Sequence, residues 1–383
     1  MLAPLALYIH WPFCQSKCPY CDFNSFVANS IDHDAWRKAY ISELEYYKKL
    51  LPERRITSVF FGGGTPSLME VETVAMVLDT ISRLWTMDAN VEITLEANPG
   101  SSEAEKFAGF RKAGVGRLSL GVQALNDADL QFLGRKHSVT EARRAIELAQ
   151  KNFERFSFDL IYARRDQSPE AWEAELNEAL TLADGHLSLY QLTIEPNTAF
   201  HTRAARGEEL IASENPSVAM YEQTQRIMQD AGRPAYEVSN YARAGEASRH
   251  NLTYWNYEDY VGVGPGAHGR LVVGATRYAT DNHRAPDVWL KQVMEEGHGL
   301  RQKDPLTSES AMLEALMMGL RLVEGIDLER WQAKFGVEIR DYVAAPKLQK
   351  LEEEGLLSHT NQKIFATPAG LQRLNAVLGY LTT

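Results

Sequence analysis

Trp11-Pro12-Phe13-Cys14-Gln15-Ser16-Lys17-Cys18-Pro19-Tyr20-Cys21-Asp22-Phe23 holds all three cysteines of a 383-residue chain, spaced C-x3-C-x2-C. Three thiolates at such short intervals suit three irons of a cubane [4Fe–4S] cluster and leave the fourth iron without a protein ligand. An open iron is a place where an outside molecule can coordinate. The competing readings are weaker. A structural zinc site wants four closed ligands, and His10 lies on the strand side of the loop, poorly placed to be the fourth. Disulfide pairing would leave one thiol over.

Around this loop the bulk of the chain reads as globular. Hydrophobic residues make up 44% of it, enough for a sizeable core. A net charge of −11 argues against general binding to nucleic acid or anionic membranes. No apolar run approaches the roughly 20 residues that span a bilayer. Residues 2–9 are apolar, but they lack a basic leader and a small-residue cleavage site, so they read as a first strand. Clustered cysteines with none to spare suggest a reducing cytoplasm.

Short β-rich runs at 5–10, 58–61, 91–95, 117–122, 156–161 and 187–192 alternate with helical patterns at 34–51, 71–85, 103–113, 139–152 and 169–182. Strands alternating with helices imply right-handed crossovers and a parallel sheet. Six such units predict an α/β fold, a partial (β/α)6 barrel, in which chemistry collects in the loops after the strands' carboxyl ends.

The suggestive residues fall in those loops. Phe61-Gly62-Gly63-Gly64-Thr65-Pro66 follows the second strand, and its glycines permit close backbone approach to a ligand. Glu96 ends the third strand. Gln123 ends the fourth and carries both donors and acceptors. Arg135 offers a fork for a carboxylate. Asp159, an acid inside an apolar parallel strand, is costly unless it faces a partner. His186 reads as an exposed strand-start residue. A helix over 216–231 and a short strand over 236–241 follow. Ser248-Arg249-His250-Asn251-Leu252-Thr253-Tyr254-Trp255 then brings a histidine and a tyrosine, two side-chain types that bind haem iron axially. Glycine-rich 262–269 could border the site and contains His268, a weaker iron-ligand candidate. From about residue 305 the pattern becomes helical at 308–322, 328–335 and 345–354. A two-stranded wing over 355–358 and 363–366 and a last helix to Tyr380, capped at 367–370, complete it.

Taken together these residues resemble the radical S-adenosylmethionine (SAM) superfamily. The resemblance implies that Cys14, Cys18 and Cys21 hold a [4Fe–4S] cluster whose open iron takes the amino and carboxylate groups of SAM. Tyr20, the aromatic residue before the last cysteine, fits the same pattern. Gly63, Gly64 and Thr65 match the element that contacts the methionyl end of SAM. Tyr8, Gly63, Glu96, Gln123, Arg135 and Asp159 fall at SAM-contacting positions of the coproporphyrinogen dehydrogenase branch, some of them serving a second SAM in the related oxidases. One departure stands out: after Asp159-Leu160-Ile161-Tyr162 the branch continues with a glycine–proline-rich turn, where this chain has Ala163-Arg164-Arg165-Asp166.

Two members of that branch compete. One is the oxygen-independent coproporphyrinogen III oxidase, which abstracts hydrogen from propionate side chains. The other is the HemW-type haem chaperone, distinguished by H-N-x-x-Y followed by tryptophan, here His250 to Tyr254 and Trp255. Oxidases carry a fourth cysteine where Phe23 stands, and a longer segment before the first cysteine than the thirteen residues present here. Both features favour the chaperone, with haem towards His250 and Tyr254. The chaperone reading implies haem-accepting respiratory proteins and an electron donor as partners. It leaves room for a homodimer and for peripheral membrane association, and makes oxidase activity unexpected. The expected organisation is a radical SAM barrel over 1–240, a connecting segment over 241–304 and a winged-helix-like domain over 305–383.

Overall fold

Six parallel strands form the centre of an eleven-stranded sheet in the computed structural model, which describes residues 2–28 and 30–382. They are β1 (Ala3–Trp11), β2 (Arg54–Gly63), β3 (Thr86–Ala97), β4 (Arg117–Gln123), β5 (Arg155–Tyr162) and β6 (His186–Gln191), neighbours in that order. Helices α1 (His33–Leu50), α2 (Val71–Leu84), α3 (Phe107–Ala113), α4 (Val139–Asn152) and α5 (Pro169–Leu182) return the chain between them. This is the expected partial (β/α)6 barrel. β1 and the middle of β2 are nearly continuous apolar runs, as strands covered on both faces require. Leu5, Leu7, Ile9 and Trp11 of β1 and Val59 and Phe61 of β2 are fully buried.

Local chemistry sets the helix starts. Ser138 and Glu141 form a capping box at the head of α4. Ser168 caps α5 with Pro169 at its first position. The expected helix over 103–113 is broken into Ser101–Ala104 and α3. The break accompanies the inward turn of Glu103, whose buried carboxylate accepts from Ser67 Oγ and the Asn98 amide.

Beyond β6, the short β7 (Asn240–Ala242) adds an antiparallel edge. Helix α6 (Glu214–Asp230) precedes it and α7 (Arg249–Trp255) follows. The stretch 241–304 does more than connect. Strand β8 (Tyr260–Val263) lies parallel to β1 on its free side. β9 (His268–Val273), β10 (Thr276–Asn282) and β11 (Leu300–Pro305) extend the sheet antiparallel from it. The C-terminal part builds a separate core around Leu316, Trp331, Leu351, Ile364 and Val377. Its helices surround a three-stranded antiparallel sheet of Ile326–Asp327, Lys363–Ala366 and Leu357–His359. Its first helix, α8 (Ser308–Gly319), is tied to the main sheet through Glu314, which accepts 2.8 Å bonds from Nε and Nη2 of Arg270 and a 2.6 Å bond from the Tyr257 hydroxyl.

Two sequence expectations need correction. His186 is buried, not exposed, because β7 covers it and the Tyr236 hydroxyl lies 3.0 Å from its Nε2. The segment expected as a strand over 236–241 forms a ladder only from Asn240. Arg164, one of the two added positive charges after Asp159, is buried and paired with Glu175 and Asp129. Arg165 pairs with Asp166 and Glu208. In this turn Ala163 and Asp166 take φ of 57° and 59°, the left-handed region that glycine adopts at little cost.

Candidate functional site

The cysteine loop leaves β1 at Trp11 and folds across the carboxyl end of the parallel strands. Phe13–Cys14 pairs with Phe26–Val27, closing the loop on itself. His10 pins its far end. His10 Nε2–H donates to the Asn24 carbonyl at 2.9 Å, so Nδ1 accepts from the Tyr8 hydroxyl at 3.1 Å. With both ring nitrogens occupied, His10 supplies no fourth ligand. Burial drives its pKa down to about 4, and it stays neutral.

The glycine run of β2 packs under the loop. Gly64 and Thr65 donate their amides to the carbonyls of Trp11 and Phe13 at 2.7 and 2.8 Å. A Cβ on Gly64 would come within 2.7 Å of the Phe13 carbonyl oxygen. One on Gly63, at φ +111°, would come within 2.5 Å of the His10 ring. Only glycine fits this close approach.

A polar chain then links two of the sulfurs. Thr65 Oγ1 donates to Cys14 Sγ at 3.4 Å and accepts from Asn98 Nδ2 at 3.1 Å. Arg135 Nη2 donates to Asn98 Oδ1 at 2.6 Å and to the Gly121 carbonyl at 2.7 Å, while its Nη1 reaches Cys18 Sγ at 3.5 Å. Asn98 was not singled out from the sequence. Its position two residues past Glu96, in a loop after a parallel strand, is the signal that could have found it.

All three cysteines line one cavity of about 380 Å³. Gly63, Gly64, Thr65, Glu96, Gln123, Arg135, Asp159 and Tyr20 line it too, so most of the expected site residues converge from four parallel strands and three loops. Gln123 holds φ of 76°, a strained conformation of the kind that persists where surrounding structure enforces it at functional sites. Burial first, and then the charge of Asp159, pushes the Glu96 carboxyl up to about 8, although the Gly63 amide donates to it at 3.2 Å. Burial likewise raises Asp159 to about 6, against the hydroxyl of Ser188 and the positive charges of Arg117 and Arg135. Two carboxyls held this way favour a cationic ligand, which would restore their ionised forms.

Among the described residues no three His, Cys, Asp or Glu side chains converge closely enough to hold a single metal ion. A cubane cluster asks for something different, since its cysteine ligands sit on separate irons. The cavity fits such a group in its donors. Thr65 and Arg135 already direct hydrogen-bond donors at two sulfurs. Arg135 Nε is buried with no partner, a donor that a sulfur-rich anionic cluster would satisfy.

A second, larger cavity of about 890 Å³ adjoins the first and shares Asp22, Phe23, Gly63 and Glu96 with it. Tyr8, Tyr254, Trp255, Tyr257 and Tyr260 give it an aromatic wall. His268, Arg270 and Arg284 face it from the β8–β10 region, and Glu314, Met317 and Met318 from α8. The last three were not legible as site residues. They reach the site only because β8 pairs with β1 and α8 docks behind it.

His250 lies in neither cavity lining. It sits on α7, not in a loop, and is 1% exposed. Its Nδ1 is 2.9 Å from Ser58 Oγ, its Nε2 is 2.7 Å from the Tyr254 hydroxyl, and its ring stacks on Phe60. Burial lowers its pKa to about 3. Four residues apart, His250 and Tyr254 share one helix face and pin α7 to the sheet. In this arrangement neither nitrogen of His250 is free for a metal.

Fold and site together define a radical SAM protein. Residues 8–179 match the Radical SAM superfamily and residues 306–373 the HemN C-terminal domain. The mitochondrial radical S-adenosyl methionine domain-containing protein 1 of Bos taurus is 40% identical over 97% of this chain and 86% of that protein. The heme chaperone HemW of Escherichia coli is 35% identical over 98% of both chains, and that of Haemophilus influenzae 37% over 88% of this chain and 87% of that one. The chain belongs to the radical SAM family that includes these HemW proteins. Among solved structures, the E. coli coproporphyrinogen III oxidase HemN superposes with a TM-score of 0.82 at 22% identity, covering 100% of this chain and 91% of that one, a likeness of fold. Membership of the superfamily implies a [4Fe–4S] cluster and SAM.

Proposed function

We propose that this protein is a haem chaperone that holds a [4Fe–4S] cluster and SAM in the smaller cavity, carries haem in the larger one and delivers it to haem-accepting respiratory proteins. The observation that carries the reading is the aromatic cavity of about 890 Å³ opening beside the cysteines, in a chain whose bacterial relatives are named heme chaperones. Its volume lies within the roughly 300–1,000 Å³ usual for ligand and cofactor sites.

In this reading Cys14, Cys18 and Cys21 hold the cluster. Gly63, Gly64 and Thr65 present backbone and hydroxyl to the methionyl end of SAM, and Glu96 accepts from its ammonium or ribose hydroxyls. Gln123, Arg135 and Asp159 complete the ring. When bound, the cluster supplies an electron-transfer centre with one open iron. The chain's own part is to position ligands and exclude water. Tyr8 lines the larger cavity and not the cysteine cavity, its hydroxyl committed to His10. An electron donor, a cytoplasmic setting, a homodimer and peripheral contact with a membrane belong to the same proposal. No helix among the described residues is long and apolar enough to cross a membrane.

The test uses anaerobically reconstituted protein. Hemin uptake and transfer to an apo-acceptor without consumption of coproporphyrinogen supports the chaperone. Conversion of coproporphyrinogen to the divinyl product would select the oxidase instead.

A further inference from the structure

We infer that His268 is the residue that presents an imidazole to haem iron in the larger cavity. This rests on the haem-carrying reading above, but it relocates the ligand from the H-N-x-x-Y motif to the start of β9.

The geometry separates the two histidines. His250 has both ring nitrogens engaged and is shut off behind Tyr254. The His268 side chain is 63% exposed and faces the cavity. Its Nδ1 stands 3.7 Å from Asp281 Oδ1, on the neighbouring strand at the directly paired position. That Oδ1 is buried and has no hydrogen-bond partner, while Oδ2 pairs with Arg301. A small movement lets Nδ1–H donate to Oδ1, which fixes the tautomer and leaves the lone pair of Nε2 for iron. A carboxylate behind the far nitrogen is the usual support of a metal-binding histidine.

The surroundings suit a dianionic porphyrin. Arg284 faces the same cavity and forms no ion pair among the described residues, so its guanidinium can take a propionate. Tyr254, Trp255 and Tyr257 offer flat apolar surface to the macrocycle. Partial desolvation of the ring at the cavity rim, and then the nearby arginines, lower the pKa of His268 against the pull of Asp281, in the direction of the neutral form that ligates.

The test titrates the full-length protein with hemin and, in parallel, with metal-free protoporphyrin IX. For His268→Ala we expect hemin affinity to fall about 10–100-fold, the scale of losing support at a metal site. The histidine-ligated Soret spectrum should be lost and then regained on adding imidazole. Binding of the metal-free porphyrin should stay unchanged, since no iron is ligated there. His250→Ala should keep the hemin spectrum. If His268→Ala and His268→Gln both retain the wild-type spectrum and affinity, the assignment is wrong, while hemin binding by the wild type still stands. Failure of the wild type to bind hemin at all would instead remove the haem-carrying reading, and this inference with it.

Discussion

Arg135 Nη1 lies 3.5 Å from Cys18 Sγ, and the same guanidinium holds Asn98, which in turn donates to the hydroxyl bonded to Cys14. One arginine therefore sets the hydrogen-bonding environment at two of the three sulfurs.

Donors and positive charge at cluster sulfurs raise the reduction potential. Arg135→Ala should shift the cluster's midpoint to more negative values while leaving iron content close to wild type. Arg135→Lys, with charge but no fork, should shift it less. Anaerobic redox titration followed by EPR measures this, and an unchanged midpoint would detach Arg135 from the cluster.

Gly63→Ala must place a methyl against the His10 ring and hold alanine at φ +111°. We expect a loss of about 2 kcal/mol or more in stability from the two effects together, and loss of SAM binding because the loop must move. Chemical denaturation and equilibrium dialysis with SAM read these separately.

The raised pKa of Glu96 carries a sign. Its folded value of about 8 lies above the ordinary carboxyl range, so the ligand-free fold binds the proton more tightly than the unfolded chain. Its contribution is present at low pH and is lost as pH rises through about 8. Glu96→Gln should accordingly raise the melting temperature of ligand-free protein at pH 8, and the gain should vanish towards pH 4.5. A gain that grows in acid would contradict the burial argument.

His250 has the opposite sign. Its folded pKa of about 3 lies below the usual imidazole value of 6.5, so its neutral hydrogen bonds stabilise the fold above that value and are lost as pH falls towards 3. Removing two buried hydrogen bonds and a stacked ring should cost about 2–4 kcal/mol at pH 7. The penalty of His250→Ala, measured by denaturant titration, should shrink by pH 5. A pH-independent penalty would show that the ring is not buried neutral.

The parallel half of the fold was legible because buried parallel strands and capped helices leave strong local patterns. The six strands were placed to within a few residues where a turn or cap closed them, and less well where β2 and β3 run on beyond their apolar cores. The carboxyl-terminal parts of the parallel strands bring Glu96, Gln123 and Asp159 to the cavity for the same reason. What stayed hidden depends on distance in the chain. Pairing of Tyr260–Val263 with Ala6–Ile9 leaves no local mark, so the sequence offered His268 through its glycine-rich turn but not Arg270 and Glu314 beside it. The H-N-x-x-Y motif places Tyr254 in the lining of the larger cavity and His250 behind it. A histidine and tyrosine four apart on a helix also satisfy each other, and here burial decided in favour of that bond.

The central claim is an iron that the protein leaves open to SAM, and EPR of the reduced, reconstituted cluster with and without SAM tests it most directly. A cluster signal that changes shape on adding SAM, and is absent from Cys18→Ser, is the predicted result. A signal indifferent to SAM, or protein that takes up zinc and never binds iron and sulfide, would contradict it.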